Sequence, residues 1–451
     1  MTISILVHNA LMLPMAGDEP VVRDAWLLAE DGIIAATGSR TPPAVDADTE
    51  VVDAGGAFLA PGFVSSHSHL FTSGSRGLGV DQTLYGWCSA MFGVTGLASP
   101  EDIYWCTLHG SLDMINNGVT TAFDFTDGRL PWEPMIEGKR TGGGELRPLE
   151  YLLKQVDGKL DSGIRFVNSV MIDDTIGTRE EVLERLAQVI DYCDMKDPSR
   201  LLGKAISGAL QWSPNPDCAS IEVEAMGRFG IINQAHFLET REETELQRSK
   251  FDLYDEAGGL GPDLIFGHFV QTTPEIIQRA AAAGAGMSWQ PSSNGRLASG
   301  IADVPAMRDS GMRIGMGLDD QSCTDISDPW QNLRMGMYLT RAVSGDPTSL
   351  TPLEVLRMHT LGSAEILKID AKVGSLEPGK FADFVIVDPR APDIGPLWDP
   401  VASYVLACGL RNLKAVYIGG ELKSAAGVLV DSIAAEASAR IHDILPKIRQ
   451  Y

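Results

Sequence analysis

The chain has 451 residues, with 36 Lys and Arg against 60 Asp and Glu, 44% apolar residues and 21% charged ones. That length exceeds one typical domain, and that composition excludes a disordered chain. A net charge of −24 repels phosphate backbones and anionic lipid, so neither nucleic acid nor a membrane surface is an expected partner.

The first sixty residues read as short strands and turns. Ile3 to Val7, Ala25 to Ala29 and Ile33 to Ala36 are β-prone, Asp31-Gly32 is a hairpin turn, and Pro42-Pro43 marks a loop. From about residue 58 short apolar runs alternate with helical stretches. The predicted strands are Phe58–Ser66, Val119–Phe125, Ile164–Met171, Ala205–Trp212, Ile231–Phe237, Leu264–Val270, Gly286–Gln290 and Ile314–Leu318. Arg179–Asp191, Pro274–Ala283 and Val304–Asp309 read as helices between them. Eight strands, each followed by helical material, predict an α/β fold, a closed (β/α)8 TIM barrel. An open doubly wound sheet is the rival, but no GxGxxG loop follows the first strand. The chain then returns to β character at Asp383–Asp388 and Lys414–Gly420. Residues 1–57 with 370–430 are expected to form one small composite β-sandwich, with the barrel at 58–369 inserted between its halves. Residues 431–451 read as an amphipathic helix with Ile441, Leu445 and Ile448 on one side. Cys88, Cys106, Cys193, Cys218, Cys323 and Cys408 are scattered with no Cys-x-x-Cys pair, which fits a reducing compartment. With no basic leader and no apolar run of bilayer length, a soluble cytoplasmic protein is expected.

The chemistry concentrates at strand ends. His67 and His69 close the first barrel strand. On a strand, residues i and i+2 share a face, so both imidazoles can converge on one metal ion. His-x-His alone is a weak signal. Three further stations strengthen it: His236-Phe-Leu-Glu239 ends the fifth strand, Gly267-His268 lies on the sixth, and Gly317-Leu-Asp319 ends the eighth. Catalytic residues of such barrels gather at that rim. Glu239, three positions after His236, must sit beyond the strand end, where the chain turns. Alternatives stand beside this reading: Glu239 as a helix cap, His268 as a satisfied core histidine, Asp320 as the ligand in place of Asp319. His8, His109, His359 and His442 lie outside the stations and read as surface or structural.

The motifs together resemble the amidohydrolase superfamily, in the branch holding triazine chlorohydrolases and aminohydrolases and the deaminases of nucleosides and bases. The resemblance spans almost the whole chain. It is carried by Pro61-Gly-Phe-Val-Ser-Ser-His67-Ser-His69-Leu70, Gly118-Val-Thr-Thr-Ala122, His236-Phe-Leu-Glu239-Thr240, Pro291-Ser-Ser-Asn294-Gly-Arg296-Leu-Ala-Ser-Gly300 and Gly374-Ser-Leu-Glu-Pro-Gly-Lys380-Phe-Ala-Asp383. It implies that His67, His69, His236 and Asp319 hold one divalent metal, Zn2+ with Fe2+ as the alternative, and that Glu239 and His268 carry protons. Three neutral imidazoles and one carboxylate do suit zinc or ferrous iron. A metal in such a shell lowers the pKa of bound water from ~15.7 towards ~7, and the free oxygen of Asp319 can accept the water's proton. The resemblance also implies a small-molecule substrate and a homodimer or larger homo-oligomer.

The chain departs from its relatives in places. Trp212 stands in Gln-Trp-Ser-Pro where several carry a substrate-contacting His. Trp289-Gln290-Pro291 replaces His-Asn-Pro or His-Cys-Pro, and Leu318 and Asp320 flank Asp319 in place of Thr and Gly. The two indoles put adenosine-type nucleosides in doubt. They can stack on a flat heterocycle or simply fill core space. Trp87, Trp212, Trp289, Gln290 and Asn294 are the expected substrate contacts, with Arg76 and Arg296 as anion contacts or surface residues. The expected activity is metal-dependent hydrolysis of non-peptide C–N bonds, by preference deamination of a small nitrogen-rich ring. The same apparatus can dechlorinate a triazine or open a urea or cyclic amide. A catalytically silent scaffold is the rival of a different class.

Overall fold

The computed structural model describes residues 4–142, 144–392 and 394–448, the last four of them without side chains. Eighteen strands appear among the described residues. The first five are β1 (Ser4–Met12), β2 (Val22–Glu30), β3 (Ile33–Ser39), β4 (Glu50–Asp53) and β5 (Phe58–Pro61). The next nine are β6 (Phe63–His69), β7 (Val119–Phe125), β8 (Arg165–Met171), β9 (Leu201–Gly208), β10 (Ile232–Phe237), β11 (Leu264–His268), β12 (Gly286–Trp289), β13 (Arg313–Met316) and β14 (Asp319–Asp320). The last four are β15 (Phe384–Val387), β16 (Leu413–Ile418), β17 (Glu421–Ala425) and β18 (Val428–Leu429).

The chain divides into two compact units, one of Met1–Ser65, Leu112–Thr121 and Ser327–Ala434, the other of Ser66–Ser111, Ala122–Ile326 and Ala435–Tyr451. In the first, strands from both chain ends join as one mixed sheet, β18-β17-β16-β15-β5-β1-β2-β3, with β4 on β1. The ends meet where β15 pairs antiparallel with β5, Phe384 opposite Pro61 and Val387 opposite Phe58. Ile5, Val7, Leu27, Ile34, Leu59, Phe384 and Ile386 form its core. Asp31 and Gly32 both take positive φ, 50° and 80°, as a two-residue hairpin turn between β2 and β3 requires.

The second sheet runs β13-β12-β11-β10-β9-β8-β7-β6-β14. β14 continues the eighth strand after Gly317-Leu318 and pairs parallel with β6, Asp319 opposite Ser68, so the last strand meets the first and the barrel closes. This is the (β/α)8 architecture the alternating pattern predicts. Two strand limits differ from the sequence reading. The run at 58–66 splits at Gly62 into β5, which joins the mixed sheet, and β6, which joins the barrel. The fourth barrel strand starts earlier and ends at Gly208, so Trp212 lies in the loop beyond it. The helices hold closely: Arg179–Asp194 begins in a Thr178/Glu181 capping box, Pro274–Ala282 is capped by Thr273, and Val304–Asp309 by Asp303. The C-terminal helix is Ile433–Ile448, with Ala437, Ile441 and Ile444 buried; the side chains of Leu445 and Ile448 lie outside the described residues.

Candidate active site

Four strand ends of the second unit meet at one place. β6 ends on His67 and His69, β10 carries His236, β11 ends on His268 and β14 opens with Asp319. Two glycines make this convergence possible. A Cβ at Gly317 would lie 2.5 Å from the Cβ of His67, and one at Gly267 would lie 2.9 Å from its Cε1. The Gly-His and Gly-x-Asp patterns are therefore the points where neighbouring strands pass the His67 ring and backbone.

The backbone is bent hard around these residues. Leu238, His268, Phe269 and Asp319 hold φ of 54°, 65°, 50° and 62°. Each such left-handed non-glycine residue costs ~1–3 kcal/mol, and clusters of them mark functional sites. Side-chain amides collect the amides freed by the bends: Gln211 Oε1 accepts from Leu238 N at 2.6 Å, and Gln290 Oε1 from His268 N at 2.8 Å. The turn at Leu238 carries Glu239 off the strand, and its Oε1 lies 3.6 Å from His268 Nε2.

The ring geometry fixes which atoms face inward. His67 Nδ1 lies 2.7 Å from Gln234 Oε1, and Gln234 Nε2 donates to the Ser66 carbonyl at 2.9 Å. The glutamine thus presents its oxygen to the ring, His67 Nδ1 holds the hydrogen, and Nε2 keeps its lone pair. His69 Nε2 lies 3.3 Å from His67 Nε2 and 3.1 Å from His236 Nε2. Asp319 Oδ1 is 3.5 Å from both His67 Nε2 and His69 Nε2. Donors on a tetrahedral cation at ~2.0–2.1 Å lie ~3.3 Å apart, so these spacings fit one divalent metal. Burial, reinforced by His67, lowers His69 to about 3. Burial and the neighbouring imidazoles hold His236 well below its usual range. Lowered in this way, His69 and His236 favour the neutral form that ligation needs. Burial pushes Asp319 up, but His268, His67 and His69 outweigh it and keep the carboxyl well below the ordinary range.

The proton-handling groups sit against this cluster. Burial, Asp319 and Glu242 push Glu239 well above a normal carboxyl, so it holds its proton. Burial lowers His268 to about 3. Asn294 Nδ2 lies 2.8 Å from His268 Nδ1; with the amide as donor the ring hydrogen is on Nε2, 3.9 Å from Asp319 Oδ2. Asp320, the alternative ligand, is buried with Oδ2 3.7 Å from His69 Nε2, and burial and Asp319 push its carboxyl well up.

A cavity of about 850 Å³, its mouth included, opens on His69, His236, Glu239, His268, Asp319 and Asp320. Trp87 and Trp212 line it, and the Trp212 ring lies 5.4 Å from that of His236. Trp289, Gln290 and Asn294 are placed elsewhere: Trp289 is 1% exposed at the end of β12, while Gln290 and Asn294 hold the backbone and ring of His268. Arg76 donates to the Ser73 carbonyl, and Arg296 faces the Leu78 and Gly79 carbonyls and Asp325. Sequence reading missed Gln234, although it stands two residues before His236 and therefore on the same strand face. It also missed Asp127, Trp132 and Arg140, which line the cavity from an irregular loop after β7 that carries no periodic signal.

Comparison with known proteins accords with this arrangement. Residues 58–423 match the model of the Amidohydrolase family. The chain is 29% identical over 428 residues to a 5-methylthioadenosine/S-adenosylhomocysteine deaminase of Pelotomaculum thermopropionicum, covering 93% of each, and 27% identical to that of Symbiobacterium thermophilum, covering 88% of each. Among solved structures, a zinc-bound adenosine deaminase from Xanthomonas campestris superposes with a TM-score of 0.84 at 22% identity over 99% of both chains. The zinc complex of atrazine chlorohydrolase from Arthrobacter aurescens gives 0.82 at 20% identity, over 98% of this chain and 100% of that one. With its strand-end histidines, its closing aspartate and a match that spans the barrel, this chain belongs to the amidohydrolase family.

Proposed function

We propose that this protein is a hydrolytic deaminase of a small nitrogen-rich heterocycle, with His67, His69, His236 and Asp319 holding one zinc ion, or ferrous iron in its place. The observation that carries the reading is the convergence of three Nε2 atoms and one carboxylate, with Glu239 and His268 beside them. The metal, when bound, supplies Lewis-acid chemistry and acidifies water from pKa ~15.7 towards ~7.

The chain's own residues do the rest. Trp87 and Trp212 present apolar faces to a flat ring. Glu239 gives its proton to a ring nitrogen as water adds at the amino-bearing carbon. Asp319 Oδ2 takes the proton that the water loses, and the His268 Nε2 hydrogen lies between Asp319 and Glu239 to orient the attacking oxygen. Asp319 then passes its proton to the amino group, ammonia leaves, and the hydroxyl proton of the adduct returns to Glu239 as the carbonyl forms, so one water is consumed for each ammonia released.

The test is a panel of amino-substituted heterocycles, ureas and cyclic amides with ammonia detection. Ammonia from at least one amino-heterocycle is the expected result. Turnover confined to ureas, amides or a chlorinated triazine overturns the deaminase assignment, and no turnover with no bound metal supports a silent scaffold. A cytoplasmic homodimer or larger assembly, with residues 1–57 and 370–430 as one composite domain, belongs to the same reading. It draws on six free, buried cysteines. Among the described residues, no helix is long and apolar enough to cross a membrane. Sedimentation of the purified protein tests the assembly.

A further inference from the structure

Arg140 is buried, 6% exposed, in the wall of the cavity that holds the catalytic cluster. Its guanidinium has no carboxylate partner among the described residues; Nη1 lies 3.8 Å from the thioether of Met171. The neighbouring Arg147, by contrast, has a carboxylate partner. It pairs with Asp127 at 2.9 Å, donates to the Gly128 carbonyl and lies over the Tyr151 ring. Asp174 and Glu133 act on Arg140 only from beyond ion-pair reach.

The loop that delivers Arg140 is tied down without using its side chain. Ile136 and Lys139 exchange backbone hydrogen bonds of 2.9 and 3.0 Å, Gly142 N and Thr141 Oγ1 donate to Glu133, and Arg140 N donates to the Trp212 carbonyl at 2.8 Å. The fork is therefore placed by its backbone and left open. The cavity lining includes the apolar Leu130, Trp132, Met171 and Trp212 beside Asp127, which is already taken by Arg147. An unpaired cation in such a setting is costly unless a ligand completes it. A guanidinium fork matches a planar carboxylate through two parallel N–H···O bonds.

We propose that Arg140 is a specificity residue that pairs with a carboxylate carried by the substrate, so that this enzyme acts on an acidic, amino-substituted heterocycle. The proposal deepens the reading of this cavity as the substrate site and does not depend on which bond is cleaved. The apolar wall takes the ring, the metal cluster takes the reacting carbon and Arg140 takes the acid group.

The test is equilibrium binding to the metal-replete protein, followed by tryptophan fluorescence, because Trp87, Trp132 and Trp212 all line the cavity. Nicotinate and nicotinamide serve as probes of one shape that differ in charge. Nicotinate is expected to bind at least ~10-fold more tightly to the wild type. Arg140→Gln is expected to erase that preference, and Arg140→Lys to retain part of it. Equal binding of the two probes to the wild type overturns the proposal without any variant. A preference that survives Arg140→Gln also overturns it, since the carboxylate then goes to the cation. No turnover enters the measurement, so failure of the deaminase assignment leaves this result readable.

Discussion

Two sets of buried histidines in this chain make an instructive pair. His359, in the unit built from the chain ends, is fully buried and burial lowers it to about 4. His69 and His268, in the barrel, are lowered by the same cause to about 3. Burial and weak basicity are thus common to both. The difference is where the ring nitrogens point. His359 Nδ1 meets the Val64 carbonyl at 3.1 Å and its Nε2 meets the Asn332 amide at 3.4 Å, one protein partner for each. In the barrel, His69 turns its Nε2 on those of His236 and His67, at 3.1 and 3.3 Å. Nitrogens at such distances could share one metal ion, which the protein partners of His359 leave no room for. What distinguishes the site is convergence, and a depressed pKa alone does not locate it.

The largest effect that can break this comparison is expected from His236→Ala. Metal content by elemental analysis should fall to a small fraction, and turnover should drop by more than ~10³-fold. His359→Gln should leave both near the wild-type level. Equal metal loss in the two variants would erase the distinction. Next comes Glu239→Gln, which should lower kcat by ~10²–10⁴-fold with metal content unchanged. An unaltered rate would remove Glu239 from proton transfer.

A third expectation concerns pH. His359 falls from 6.5 unfolded to about 4 folded, so its neutral form contributes stability that is fully present above pH 6.5. That contribution is lost as the pH falls through about 4, up to ~3 kcal/mol in all. Denaturant titrations of wild type and His359→Gln between those pH values should differ in slope; parallel slopes would show that His359 already carries its proton when folded. The smallest effect is expected from Gln234→Leu, which releases the His67 tautomer. Metal affinity should weaken by ~10–100-fold while the fold is retained. Unchanged affinity would mean that the tautomer needs no such lock.

Much of this was legible in the chain. The alternation of apolar runs and helices gave the barrel because each βα unit buries its own strand and carries its own period. His67 and His69 could be paired without coordinates, since the two-residue period of a strand is local. The β5–β6 break was hidden, because nothing in a continuous apolar run says that Gly62 passes it from one sheet to another. Trp289 and Trp212 looked alike in sequence, yet one is enclosed at the end of β12 and the other faces the cavity from a loop.

The amino-acid sequence by itself determined the donor types, their order along the barrel and the glycines that let strands pass His67. These follow from short-range periodicity and side-chain chemistry. Only the tertiary structure decided that Gln234 sets the His67 tautomer, that Gln290 and Asn294 serve His268, and that Arg140 stands unpaired in the cavity wall. Those outcomes depend on which distant segments meet, and a contact between residues far apart in sequence leaves no local trace in the chain.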